Sequence, residues 1–278
     1  MKLILLSKQA IWPKNYIKYN MTIFLYYLFQ FILLWQTPCE LEGNVALDEF
    51  QNVYIYDDTS LLSYNKAGVN HFSYSNLRKG EITSVDVTNP LRIVVYYGEN
   101  NEVVFLDNTL SEQNQGLSFN DLSLYDVSLV CSSFQNHLWL YRSAEQKLVR
   151  INRNGEVQNE TASLALWTEG DLGEFVLLKE SGNFLYLVSS EEEVLVFDQY
   201  GTFRKKILIS EASKIHFSES KILYLNEKDV YAIDAEVYTE PVLLYSFEDE
   251  MIVGNFYFNL RHSAIFSQGL LSLSEVSN

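Results

Sequence analysis

Proline and glycine are scarce, with 4 and 12 copies in 278 residues, so the chain is neither collagen-like nor a low-complexity linker. Cysteine is scarcer still. Cys39 and Cys131 do not make a disulfide scaffold, and no CxxC pair exists to start a zinc module. A Cys39–Cys131 bond is compatible with the count but is not fixed by it. Cys131, inside Leu129-Val130-Cys131, reads as a small buried thiol. Basic residues are few: 20 Lys and Arg against 36 Asp and Glu, for a net charge of −16. Four of those bases, Lys2, Lys8, Lys14 and Lys18, fall within residues 1–38, which hold no acid. The remainder therefore carries 16 bases and 36 acids, a net −20. Phosphate backbones demand clustered Lys and Arg, so this composition excludes DNA, RNA and an anionic membrane surface as partners of the body. The charge keeps the body soluble, with a cationic or metal-bearing partner as the sharper alternative. Catalytic signatures are missing too: there is no HExxH, GxSxG, P-loop, GxGxxG or EF-hand loop. The 47 % apolar content excludes a disordered chain.

What is present is a repeat. Leu61-Leu62-Ser63-Tyr64-Asn65 returns as Val103–Asp107, Leu148–Asn152, Val194–Asp198 and Val230–Asp234, with a degenerate sixth copy at Leu270–Ser274. The closing residues are spaced 42, 45, 46, 36 and 40 apart. A period of this size marks a propeller or another repeat array. Two shorter apolar runs precede each copy, and in most units a weaker one follows. Polar or Gly turns divide them, and none has helical length or period. Eleven places before the closing residue stand Tyr54, Tyr96, Tyr141, Leu187, Leu223 and, breaking the column, Ser263. The sequence therefore predicts an all-β, six-bladed β-propeller with four-stranded antiparallel blades. The strands read as continuously apolar because each blade buries both faces. Leu117-Ser118-Phe119 is expected as an outer strand of the second unit, Leu164-Ala165-Leu166-Trp167 as that of the third. Met251-Ile252-Val253 is expected to extend the sixth. That unit supplies only three strands after Phe256, so the N-terminal segment, at residues 38–43, is expected to complete it.

Residues 22–35 form the only long apolar run, at 14 residues against the ~20 of a spanning helix. Lysines precede it and acids follow, the layout of a secretory signal. Met21 is an alternative start, though it would lose every lysine. Pro38 argues against lipidation of Cys39. The expected organisation is a signal peptide or N-terminal membrane anchor at 1–38 and the propeller at 39–278. Export to the periplasm or beyond the cell is common to both readings, and the membrane is a partner only through the N-terminal segment.

The first unit resembles the NHL-type repeat through Val45-Ala46-Leu47-Asp48, Asn52-Val53-Tyr54-Ile55, Asp57, Leu62, Tyr64-Asn65 and Gly68. The fourth does so in part, through Gly182-Asn183, Phe197-Asp198 and Gly201. This resemblance implies the TolB-like six-bladed fold over residues 39–278. Relatives of that kind include protein-interaction platforms and some lyases, lactonases and hydrolases.

The column Asn65, Asp107, Asn152, Asp198 and Asp234 invites reading as a ligand ring. Asx turn chemistry, with Gly68, Gly155 and Gly201 three residues on, explains it better. Asp48, Asp86 and His216 lie on innermost strands, where a propeller enzyme would hold a metal or an acid–base pair. Ser128, Ser132 and Lys179 are the other polar residues there. The four histidines, His71, His137, His216 and His262, are dispersed. Glu191-Glu192-Glu193 and Glu248-Asp249-Glu250 read as solvated turns, and Asn159-Glu160-Thr161 as a sequon on a loop. No catalytic set and no cofactor motif assembles. The sequence thus points to a non-catalytic exported platform that binds a protein or envelope component. A metal-dependent lyase, lactonase or hydrolase acting in the channel is the alternative.

Overall fold

The computed structural model describes residues 31–113, 116–167, 174–191, 193–209, 211–237, 240–247 and 255–276. Short runs of Val, Ile, Leu and aromatic residues become strands because their side chains pack on a pleated surface, and Asx or Gly turns end them. The first strand is β1 (Phe31–Pro38). Blade one follows with β2 (Asn44–Leu47), β3 (Val53–Tyr56), β4 (Leu61–Tyr64) and β5 (Asn70–Tyr74). Blade two holds β6 (Ser84–Asp86), β7 (Ile93–Tyr97), β8 (Glu102–Leu106) and β9 (Leu117–Ser118). Blade three holds β10 (Val127–Ser133), β11 (His137–Arg142), β12 (Lys147–Ile151) and β13 (Val157–Glu160). Blade four is β14 (Phe175–Ser181), β15 (Phe184–Ser189), β16 (Glu193–Asp198) and β17 (Phe203–Leu208). Blade five is β18 (Lys214–Ser218), β19 (Lys221–Asn226), β20 (Asp229–Asp234) and β21 (Val242–Ser246). Blade six contributes β22 (Asn255–Phe258), β23 (His262–Ser267) and β24 (Leu270–Val276), and β1 is its fourth strand.

The fold is the expected six-bladed propeller of four-stranded antiparallel sheets. Its core is divided among the interfaces between blades. Val94, Tyr96 and Phe105 of blade two meet Val130, Leu140 and Val149 of blade three. Val45, Val53 and Tyr64 of blade one meet Ala264, Phe266 and Leu273 of blade six, so the ring closes without a gap. The predicted column explains itself here. Tyr54, Tyr96, Tyr141, Leu187 and Leu223 are all buried between sheets, and Ser263 is buried too, at 1 % exposure.

Closure is the first correction. The N-terminal segment does complete blade six, but with residues 31–38 rather than 38–43. β1 pairs with β24 from Phe31↔Val276 to Pro38↔Leu270. Hydrophobic anchoring sets this register. Phe31 stacks on Phe247 at 5.2 Å and meets Tyr245 edge-on at 5.3 Å. Trp35 lies over Tyr64 at 6.3 Å between ring centroids. A Cβ on Gly68 would come within 2.6 Å of Trp35, and Gly68 also sits at φ +75, so only glycine fits under the indole. The propeller therefore includes Phe31–Pro38, which lie inside the stretch expected as leader. The rest of the expected apolar segment, residues 22–30, lies outside the described residues, as do Met251-Ile252-Val253, Glu192 and Glu248-Asp249-Glu250.

The degenerate sixth copy now has a reason. Ser274 stays inside β24, opposite Leu33 of β1, because the strand continues there instead of turning. The five other closing residues do turn. Asn65 Oδ1 accepts from the Ala67 and Val69 amides, and Asp198 Oδ1 from the Tyr200 and Thr202 amides. Asp107, Asn152 and Asp234 do the same in their turns. In the Asp107 turn Leu110 takes the left-handed position at φ 57 that glycine holds elsewhere.

Two further expectations change. Leu164-Ala165-Leu166 is a 3-10 turn, and the outer strand of blade three is β13. Leu164 is drawn instead into the interface with blade four, where Trp167 stacks on Phe203 at 5.0 Å. The acceptor of the sequon lies in β13 and not on a loop: Asn159 pairs with Arg150, and buried Thr161, just past the strand, accepts a hydrogen bond from the Leu148 amide. Both cysteines are free and buried in different interfaces, Cys39 between blades six and one and Cys131 between three and four.

Candidate functional site in the central channel

Because the first strand of each blade is innermost, residues from all six blades line one central cavity of about 660 Å³. Asp48, Ser132, Lys179, His216 and Tyr257 reach its wall. Of the three residues singled out by sequence, Asp48 is used by its own hairpin. Its Oδ1 accepts from the Phe50 and Asn52 amides, both at 2.8 Å. Its Oδ2 accepts from Asn52 Nδ2 at 2.8 Å and the Tyr54 hydroxyl at 3.0 Å. Four donors on one buried carboxylate leave little for a ligand.

Asp86, at the end of β6, is the charge centre of the channel. Lys179 of β14 donates to its Oδ1 at 2.7 Å, across from blade four. The Thr88 amide donates to the same oxygen at 2.9 Å, the Thr88 hydroxyl at 2.5 Å, and the Ser132 amide to Oδ2 at 2.8 Å. Lys179 also donates to Thr88 Oγ1 at 2.5 Å. Burial alone would raise the pKa of Asp86, but the Lys179 ammonium and these donors outweigh it and hold the carboxyl below its ordinary value. Burial likewise opposes the charge on Lys179, and Asp86 overcomes it, so the ammonium titrates above its ordinary value. The pair ties together blades two, three and four.

His216 stands apart from both carboxylates. Its ring meets Tyr257 at 4.7 Å and Phe258 at 4.6 Å, both edge-on. Burial first, then the charges of Lys214 and Lys179, push its pKa down to about 3, so the imidazole is neutral at physiological pH. No hydrogen bond links it to Asp48 or Asp86. Among the described residues, no group of three His, Cys, Asp or Glu is close enough to hold a metal ion. Asp48 and His216 thus line the channel, Asp86 is not part of its lining, and the three do not form a ligand set.

Sequence reasoning missed a second polar chain at the mouth. Arg150 Nε donates to Ser133 Oγ at 2.9 Å, and Ser133 donates on to Glu180 Oε2 at 2.7 Å. The Phe134 amide donates to Glu180 Oε1 at 2.9 Å, and the Arg150 guanidinium stacks on the Phe134 ring at 3.6 Å. Burial raises the pKa of Glu180 against these donors. A signal for Arg150 was available: it is the one charge inside the apolar run Leu148-Val149-Arg150-Ile151. Ser132 is buried and Ser128 half-buried in the innermost strand of blade three, and their inaccessible hydroxyls have no partner among the described residues.

No protein-family model matches the sequence, and no curated protein matches it. Solved structures do resemble the chain. The WD40 domain of Neurospora crassa Pan2 aligns with a TM-score of 0.62 at 10 % identity, over 89 % of this chain and 96 % of that one. A catalytically inactive virginiamycin B lyase from Staphylococcus aureus, solved with quinupristin, aligns with a TM-score of 0.63 at 7 % identity, over 89 % and 100 %. A streptogramin B lyase gives 0.57 at 11 % identity, over 89 % and 98 %. Likeness at such identities is one of fold alone, shared here by a WD40 domain and by lyases.

Proposed function

We propose that the chain is a non-catalytic binding platform for a protein or cell-envelope component, engaged around the mouth of the channel. One observation carries this reading: the buried acidic groups at the channel, Asp48, Asp86 and Glu180, are already committed to the protein itself, while the other two acids of its lining, Glu49 and Glu219, are exposed. Asp86 is neutralised by Lys179, Asp48 is saturated by its hairpin, and Glu180 is held by Ser133 and Phe134. A catalytic carboxylate must be free to meet substrate or metal, whereas these brace the ring. The turns around the mouth come from every blade and vary in sequence on a fixed scaffold, which suits recognition. The NHL-like first blade supports the same reading by resemblance.

Export belongs to the proposal as well. Residues 1–30 keep the basic-then-apolar layout of a leader or anchor. Because Phe31 and Trp35 anchor blade six, a cleaved leader would have to end before Phe31. Affinity capture of the tagged full chain from cell membranes tests the platform. A fixed partner that is lost when turns at the mouth are replaced supports it. Turnover that requires a divalent metal and disappears in Asp86→Ala overturns it in favour of a channel enzyme. Intact mass of the mature protein tests export: a chain starting at residue 39 would sink the placement of the leader.

A further inference from the structure

Beside the channel mouth lies a second cavity of about 460 Å³, and Asn89 and Asn136 line both. Its other walls are Leu91 and Arg92, from the turn between β6 and β7, Phe105 of β8, Gln113, and Arg153 from the turn after β12. No carboxylate lines it. That is unexpected in a chain with 36 acids and 20 bases. The guanidinium of Arg92 is fixed over the Phe105 ring at 3.5 Å and donates to the Asn136 carbonyl at 3.0 Å. Arg153 reaches the same cavity from blade three and is exposed. Among the described residues neither guanidinium has a carboxylate at ion-pair distance.

We infer that this groove is an oxyanion-binding site, in which Arg92 and Arg153 together take a carboxylate or phosphate group of a ligand whose apolar part rests on Leu91. Two like charges facing one cavity repel, and a protein with spare acids has the means to separate or pair them. An anion between them removes the repulsion and uses the fork geometry of guanidinium, which matches two oxygens of a carboxylate or phosphate. Arg92 is pre-set for the task by Phe105 and the Asn136 carbonyl, so little side-chain freedom is lost on binding. Burial, then the charge of Arg153, lower the pKa of Arg92 to about 10, which leaves it cationic at neutral pH and short of a counter-charge. Leu91 is 63 % exposed on the wall and offers an apolar shelf next to the charges. Asn89 donates to the Asn136 side chain at 2.9 Å and Gln113 to the Leu91 carbonyl at 2.8 Å, so the wall is rigid before any ligand arrives. The inference deepens the platform reading and rests on it only for the ligand's source.

Titration calorimetry of the full chain with sodium benzoate and with inorganic phosphate, each against sodium chloride at equal ionic strength, tests the site. Saturable binding of at least one anion is expected, weakened about tenfold or more in Arg153→Gln and partly kept in Arg153→Lys. Arg153 is exposed, so these variants fold; Arg92→Gln is a second test wherever its melting temperature holds. Tighter benzoate points to a carboxylate ligand, tighter phosphate to a phosphoryl one. Saturation by neither anion, or wild-type binding by Arg153→Gln, overturns the site. Oxyanion binding without capture of any partner from membranes would uphold the groove and sink the platform. Capture that Arg153→Gln leaves intact, with no anion bound, would do the reverse.

Discussion

Lys179 and Arg92 each bring a positive charge to one of two adjoining cavities, yet only Lys179 has met a carboxylate. In the channel, buried Asp86 meets half-buried Lys179 among further donors, and the result is an electrostatic unit spanning three blades. In the groove, Arg92 and Arg153 share one cavity with exposed Leu91 and, among the described residues, have no carboxylate at ion-pair distance. The first arrangement satisfies its charges internally and offers a ligand little. The second gives up stability and leaves charge available. Charge that a fold leaves unpaired is the better guide to a binding site than charge it has buried.

The harshest way to break the comparison is to open the ring on which both cavities depend. Deleting residues 31–38 removes a full strand from blade six, with the burial of Phe31 and Trp35. Two large side chains at about 1.5–3 kcal/mol each, converted at about 2–4 °C per kcal/mol for a domain of this size, give a fall of roughly 6–24 °C in melting temperature. Calorimetry reads this directly, and a deletion that melts like the intact chain would mean blade six closes some other way.

Breaking the channel pair from one side comes next. Lys179→Met leaves Asp86 buried without its cation and should cost about 3–5 kcal/mol in urea unfolding. Removing both charges in Asp86→Leu with Lys179→Met should recover most of that loss, since a buried pair often does no better than apolar residues of similar volume. Equal losses in the single and double variants would show that the pair is not the electrostatic unit described. Its pH dependence has a definite sign. The pKa of Asp86 is depressed in the fold, so its contribution is present above pH ~4, the ordinary Asp value, and fades as acid protonates the native carboxylate. His216 adds to the acid limb over a wider range. Its native pKa is about 3 against an ordinary 6.5, so the unfolded chain binds the extra proton as pH falls between those values. Stability should therefore drop by up to about 1.4 kcal/mol per pH unit through that window. His216→Gln should flatten this limb, and an unchanged limb would mean the imidazole is charged in the native state.

The fold was legible because five of the six blades repeat one instruction: an apolar run, an Asx turn and a buried residue eleven places back. Closure was legible in kind but not in place, since Phe31–Trp35 is equally apolar as a leader or as a strand, and only packing against Tyr245, Phe247 and Tyr64 decides. Asp86 and Lys179 were visible as channel residues, but not as partners, because 93 positions separate them in the chain. The groove was invisible for the same reason. Arg92, Gln113 and Arg153 sit in three different turns with no spacing rule, and only the assembled ring makes them neighbours.

The smallest expected effect is the one that separates the two cavities most cleanly. Arg153→Gln removes an exposed side chain that has no ion pair among the described residues, so ordinary experience with surface substitutions limits its cost to about 0.5 kcal/mol. Repulsion from Arg92 sets the sign: relieving it should make the variant slightly more stable than the wild type at low salt. Salt should then erase the difference, because at 0.1 M the screening length is about 10 Å and the exposed partner is the one being screened. Melting curves of both proteins at low ionic strength and at 0.5 M sodium chloride measure this difference, and the large general response of an acidic chain to salt cancels between them. In phosphate buffer the order should invert, since a bound anion stabilises only the protein that keeps both guanidinium groups. A wild type that gains nothing over Arg153→Gln from phosphate would place Arg153 among ordinary surface charges.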